Sequence, residues 1–279
     1  MRKETEARFG SGAQAWTEYN RSPLGRIRSE VTWHNLAPHL PEIHDVRRPP
    51  RMLDAGGGSG ELALTLVRGG YQVWLLDGSS AMLDEARQAA RTLPQEAQER
   101  LHFCTMDVEQ APQAFEPGFF DAVTCHTLIE YLPAPHTALR ALAGLLREGG
   151  LLSVSFVNRH AEVLRQVWSR GDPPGALRRL EDGTFQAGLF GISGQAYSAQ
   201  EVRAWLEDLG LRLAASCGVR AFADFVPRER LEDPVFFGAL LRLEKAVAGQ
   251  SPYRSVARYV HLLARNEAGS SGIPGGSEK

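Results

Sequence analysis

Met52-Leu53-Asp54-Ala55-Gly56-Gly57-Gly58-Ser59-Gly60 is the stretch that decides the fold. A short apolar strand runs into an aspartate, and four glycines follow before an amphipathic stretch opens at Glu61. Without a Cβ, glycine lets the chain turn sharply out of a strand and approach a ligand closely. Downstream, apolar runs of strand length alternate with amphipathic stretches of helix length. The runs are 52–53, 73–76, 101–104, 120–125 and 151–157, and the stretches 61–68, 80–91, 136–147 and 160–169. Such alternation predicts an α/β fold, a parallel sheet covered on both faces by helices.

Around this core the chain is less regular. Residues 1–20 read as a polar lead-in, and apolar residues at Leu24, Ile27, Val31, Leu36 and Leu40 make a helical stripe that Pro41 stops. The predicted organisation is a helical lead-in and cap over 1–50, a core over 51–265 and a disordered polar tail over 266–279. Within the core, the glycine-rich stretch 171–197, with Pro173 and Pro174, is expected to be an irregular insertion. Ser198-Ala-Gln-Glu201 is a capping box opening a helix that should end at Gly210. A strand over 211–217, a helix over 234–248 and a last strand over 256–265 complete the reading.

Composition narrows the function class. The 279 residues are 43% hydrophobic, enough for a sizeable core, and the formal charge of −2 gives no global pull toward nucleic acid or anionic lipid. Three cysteines (Cys104, Cys125, Cys217) sit in apolar runs, with no disulfide or zinc spacing. No metal is expected. No apolar stretch has the length of a membrane span, and Met1 to Gly12 lacks a signal core, so a cytoplasmic protein is expected. Oligomeric state is not legible.

The glycine loop is not a dinucleotide fingerprint. G-x-G-x-x-G counted from Gly56 requires glycine at position 61, where Glu61 stands, and Asp54 would repel a diphosphate. An S-adenosyl-L-methionine has no phosphate, and its methionine ammonium suits a nearby carboxylate. Asp77 ends the second apolar run, seventeen residues after Gly60, where a carboxylate can accept from both ribose hydroxyls; otherwise it caps the helix near Ser80. Asp107, after the third run, can accept from the adenine amine, with Met106 supplying an amide and an apolar wall. Gly56, Gly57, Gly58, Gly60, Asp54, Asp77, Met106 and Asp107 are thus the candidate cofactor residues.

Further blocks make the chain similar to class I methyltransferases, and more narrowly to the bacterial tRNA 5-carboxymethoxyuridine methyltransferase family. They are Leu53 to Gly58, His126-Thr127-Leu128-Ile129-Glu130, Gly218-Val219-Arg220-Ala221-Phe222-Ala223-Asp224-Phe225, Pro252-Tyr253, and Ala257-Arg258-Tyr259-Val260-His261. The resemblance implies a Rossmann-like, mostly parallel seven-stranded sheet with an antiparallel last strand. It implies methyl transfer to the carboxylate of a modified wobble uridine. It also implies cofactor contacts by Arg28, in Gly25-x-x-Arg28, and by His126; alone, these would read as a surface arginine and a structural histidine.

A carboxylate acceptor is already ionised and needs no general base. A planar guanidinium that fixes it is the plausible requirement, and Arg220 is the candidate, an ion pair with Asp224 being its alternative role. Asn158, His160 and Tyr19 are expected to line the acceptor pocket. Binding of tRNA would need a local basic patch, for which Arg165, Arg170, Arg254 and Arg258 are available if the fold gathers them. The family's lysine run is replaced by Arg178-Arg179, followed at once by Glu181-Asp182. Two other functions stay open: a methyltransferase for a small carboxylate or hydroxyl, and a non-catalytic S-adenosylmethionine-binding RNA or regulatory module.

Overall fold

A computed structural model describes residues 2–267. Its main sheet contains β1 (Arg51–Ala55), β2 (Gln72–Asp77), β3 (Leu101–Thr105), β4 (Phe120–His126) and β5 (Leu146–Val157); β6 (Thr184–Ala187) and β7 (Ile192–Gln195) form a separate hairpin; β8 (Leu211–Val219) and β9 (Tyr259–Asn266) rejoin the main sheet. The order is β3-β2-β1-β4-β5-β9-β8, and only β9 runs against its neighbours. This is the Rossmann-like, mostly parallel seven-stranded sheet that the resemblance implies, with its last strand antiparallel.

Side chains alternate across it, as a pleated strand requires. Leu53, Leu76, Val123, Leu152 and Leu262 belong to one buried cluster with the helices Pro135–Gly144 and Ala199–Asp208. Their strand neighbours Met52, Leu75, Ala122, Leu151 and Leu263 belong to another, with the helices Glu61–Arg68 and Ser80–Ala90. Strand order reverses between β1 and β4, and the carboxyl ends of β1, β2 and β4 lie level, Ala55 facing both Leu76 and Cys125. Ligands of open α/β sheets bind at such a switch point.

Several boundaries depart from expectation. The polar lead-in over 1–20 holds two helices of its own, Arg2–Phe9 and Ala13–Arg21, before Pro23–Leu36. Their aromatic residues Phe9, Trp16 and Tyr19 line a crevice and do not enter the main core. The insertion 171–197 is likewise ordered. Asp172 caps the helix Pro173–Asp182 by accepting from Gly175 N at 2.9 Å, Gly183 ends it at φ 67°, and β6 and β7 follow. Its prolines occupy the first helical turn, where no amide partner is needed. The last strand begins at Tyr259, after a helical turn over Tyr253–Val256. Of the expected tail, Asn266 is held in β9, its side-chain amide donating to Leu146 and Arg147 carbonyls; the positions after 267 lie outside the described residues. The capping box forms as read, Ser198 N donating to Glu201 Oε2 at 2.7 Å. No helix among the described residues is long and apolar enough to cross a membrane.

Candidate active site

The glycine loop leaves β1 under constraint. Gly56 and Gly58 have φ of 68° and 55°, a region costly for other residues. Gly56 N donates to the Leu76 carbonyl at 2.7 Å, pulling the loop onto β2. A Cβ on Gly57 would stand 2.3 Å from Leu75 Cδ1 and 2.5 Å from Asp54 Oδ2. Gly60, at φ 82°, sets up the helix Glu61–Arg68 and is buried against Ala86 and Leu75; it shapes the turn without lining the crevice beyond it.

Three carboxylates meet at this rim. Asp77 Oδ2 accepts from Gly58 N at 2.9 Å and Oδ1 from Ser79 N at 2.8 Å, so the loop fixes the group. Capping itself falls to Ser79, whose hydroxyl accepts from Met82 N. Asp54 is 2% exposed. Its Oδ1 accepts from Thr124 Oγ1 at 2.7 Å, while Oδ2 has no partner among the described residues. Burial pushes its carboxyl up to about 6, with Glu61 and Asp77 adding repulsion against the Thr124 bond. Asp107 accepts from Thr5 Oγ1 at 2.8 Å on Oδ1, and its buried Oδ2 is also unpartnered among the described residues. Met106 departs from expectation. Its amide is spent on the Asp77 carbonyl at 3.2 Å and its side chain packs on the core, away from the crevice lining.

His126 is the last residue of β4, not one beyond it. Its Nε2 is 2.8 Å from Ser153 Oγ, which is 2.8 Å from His261 Nε2. Burial holds His126 well below the ordinary histidine value and His261 at about 3, so both rings are neutral. Arg28 lines the crevice too. It donates to Asn20 Oδ1 at 2.7 Å and lies 4.5 Å from the Trp16 ring centroid, so it is held and not a free surface arginine.

The crevice, about 1910 Å³, continues from these groups under the N-terminal helices and the β6–β7 hairpin to Arg220. Arg220 is 4% exposed and, like Thr127, is a non-glycine residue at positive φ (64°). Such backbone persists where its surroundings over-determine it. Buried Glu244 does so, accepting from the amides of Ala221, Phe222 and Ala223 at 2.6, 2.9 and 2.8 Å. The Arg220 guanidinium donates to Tyr19 Oη and to Asp224 Oδ1, each at 2.5 Å; its Nε has no partner among the described residues. The ion pair with Asp224 is present, and Arg220 also lines the crevice.

Asn158 and His160 are placed elsewhere. Asn158 is buried as the cap of the helix Arg159–Trp168 and donates to Ser255 and Ala257 carbonyls, which turns it inward. His160 is exposed on the first turn of that helix, near Glu201. Of the arginines considered for a patch, Arg165, Arg170 and Arg258 line the crevice, whereas Arg254 donates to the Ser216 carbonyl. Glu130, quoted only as part of a block, proves to be a crevice residue. It is 2% exposed, accepts from Val157 N at 3.3 Å, leaves Oε2 without a partner among the described residues and is pushed up to about 7 by burial. An acid within an apolar run was the available signal.

Residues 53–154 match the family described as Methyltransferase domain. The chain is 31% identical over 250 residues to the tRNA 5-carboxymethoxyuridine methyltransferase of Escherichia coli strain K12, covering 86% of this chain and 88% of that one. Two solved structures share the fold. One is a Haloferax volcanii chain in complex with the Trm112 methyltransferase activator (TM-score 0.60, 19% identity, 95% and 98% of the two chains). The other is Burkholderia thailandensis 1,6-didemethyltoxoflavin-N1-methyltransferase with bound S-adenosylhomocysteine (TM-score 0.55, 17% identity, 96% and 87%).

Proposed function

Because the chain belongs to the tRNA 5-carboxymethoxyuridine methyltransferase family of S-adenosylmethionine-dependent enzymes, we propose that it esterifies the carboxylate of 5-carboxymethoxyuridine in a tRNA anticodon. S-adenosyl-L-methionine is the cofactor. When bound it supplies an activated methyl group on a sulfonium. The acceptor carboxylate oxygen forms a bond to the methyl carbon, the carbon–sulfur bond breaks, and its electron pair stays on sulfur. Anion and cation become neutral ester and thioether, with no proton to move, so no base is assigned.

In this reading Asp77 accepts from the ribose hydroxyls, the free Oδ2 of Asp107 from the adenine amine, and the free Oδ2 of Asp54 meets the methionine ammonium. Gly56, Gly57 and Gly58 give the ligand room. Arg28 and neutral His126 attend the methionine end. Gly60 and Met106 act indirectly, through the turn and the core. The observation that carries the acceptor class is the continuation of one crevice past the carboxylate rim to the buried fork of Arg220 and Tyr19. A guanidinium fork matches a carboxylate in two parallel hydrogen bonds. The crevice also exceeds the roughly 300–1,000 Å³ of a single small-ligand pocket, which suits cofactor and nucleoside together.

The missing lysine run fits the whole composition. Lysine occurs only at Lys3, Lys245 and Lys279, so arginine carries almost all positive charge in this chain. The reduced thiols Cys104, Cys125 and Cys217 suit the cytoplasm, where tRNA is modified. Incubating the purified protein with methyl-labelled cofactor and tRNA bearing 5-carboxymethoxyuridine, then digesting to nucleosides for mass analysis, tests the proposal. Label in the methyl ester of that nucleoside is expected. Label only in a small-molecule extract would overturn the tRNA assignment and leave methyl transfer standing.

A further inference from the structure

A large aromatic side chain left in water needs a reason. Trp168, the last residue of the helix Arg159–Trp168, is 66% exposed, and the ring it touches, Phe225, is itself 37% exposed. The two meet edge to face, centroids 4.9 Å apart at 83°. They bring together two distant segments, and both segments border the crevice. Ser169 and Arg170 follow Trp168 and line it; Asp224 and Val226 flank Phe225 and line it. Asp224 bonds Arg220, which places the aromatic pair at the acceptor end, away from the glycine loop.

Two carboxylates lie close by, but Asp224 is taken up by Arg220 and Arg165, and Asp172 by Gly175 and Gln166. Arg170 and Arg228 are exposed, both line the crevice, and neither is paired with a carboxylate among the described residues. An aromatic face bordered by exposed arginines, at the mouth of a nucleotide-sized crevice, matches the design of single-strand nucleic-acid sites. There, bases stack on aromatic rings and guanidinium groups meet phosphates.

We propose that Trp168 and Phe225 form a stacking platform for a nucleobase adjacent to the acceptor nucleotide in a single-stranded RNA loop, with Arg170 and Arg228 meeting its flanking phosphates. The proposal rests on RNA being the substrate. A free nucleoside would not reach the platform, so the platform separates loop from nucleoside.

Steady-state methylation of an anticodon stem-loop RNA carrying 5-carboxymethoxyuridine, and of the free 5-carboxymethoxyuridine nucleoside, tests it. Trp168→Ala should raise KM for the RNA by roughly 5- to 150-fold, the span expected for one lost base–aromatic stack. Its kcat, its affinity for S-adenosylmethionine and its KM for the nucleoside should stay at wild-type values, and Trp168→Phe should restore most of the RNA affinity. Arg170→Ala and Arg228→Ala should each flatten the salt dependence of RNA binding. An unchanged KM for RNA in Trp168→Ala, with an active wild type, overturns the inference alone. If the same variant instead converts a dimer to a monomer on a sizing column, the pair belongs to a contact between copies and the inference also falls. A wild type that methylates the nucleoside and not the RNA overturns the tRNA reading and this inference with it.

Discussion

With the methionine ammonium seated on Asp54 as proposed, cofactor binding becomes sensitive to acid. The Asp54 carboxyl is fully buried, one oxygen is satisfied by Thr124 and the other has no partner among the described residues, and burial raises it to about 6. A methionine ammonium placed against that free oxygen selects the ionised form, so protons and cofactor compete below that value. Affinity is full above it and lost as pH falls through it. With the bound-state value near or below an ordinary aspartate, about 4, S-adenosylmethionine should bind about tenfold more weakly at pH 5 than at pH 7. Titration calorimetry at the two pH values reads this directly. His126, held well below its ordinary value, stays neutral throughout and adds no step. Glu130, pushed up to about 7, titrates nearby, so Glu130→Gln is measured alongside and should keep the step. In Asp54→Asn the step should vanish and affinity at pH 7 should drop.

The same burial has a cost for folding. A carboxyl raised from about 4 when unfolded to about 6 when folded destabilises the native state above pH 6, and the penalty is relieved as pH falls toward 4. Asp54→Asn should therefore stabilise the ligand-free protein at neutral pH by at most about 3 kcal/mol, read as a raised Tm in thermal unfolding. Weaker cofactor binding in a more stable protein is the signature of a group kept for function. A wild-type affinity that does not change between pH 5 and pH 7 would refute the placement of the ammonium at Asp54.

Other substitutions separate the remaining roles. Asp77→Ala removes two ribose hydrogen bonds at roughly 1.5–3 kcal/mol each and the anchor of Gly58, so calorimetry should show a loss of at least about a hundredfold in cofactor affinity. Arg220→Lys keeps the charge and loses the fork; KM for the acceptor should rise roughly ten- to a hundredfold in initial-rate assays, with cofactor affinity unchanged. Gly57→Ala drives a Cβ into Leu75 and Asp54, and thermal unfolding should report a loss of about 1–3 kcal/mol together with cofactor binding.

The parts of this molecule that could be read from sequence are those where backbone geometry dictates residue type. The glycine loop needs positive φ at Gly56 and Gly58, and Asp77 ends a strand whose alternation fixes its height at the rim. Orientation was not legible. Asn158 does stand beyond β5, yet its side chain turns inward to satisfy two carbonyls that no sequence pattern announces. Met106 sits in the right loop, but its amide is taken by Asp77. The roof was hidden for a related reason. Phe9, Trp16 and Phe190 pack on one another over the crevice, Phe190 lying 5.2 and 5.7 Å from the other two rings. Contacts between segments so distant in sequence leave no periodic trace. Glu130 and Glu244 are buried carboxylates whose roles appear only once their partners, contributed by other elements, are in place.

The crystal structure of the protein soaked with S-adenosylhomocysteine tests the central claim most directly. Ribose hydroxyls within hydrogen-bond distance of Asp77, the adenine amine on Asp107, and the amino-acid end between Asp54 and Arg28 are the predicted result. A ligand seated outside the crevice, or one whose ribose leaves Asp77 untouched, would contradict it.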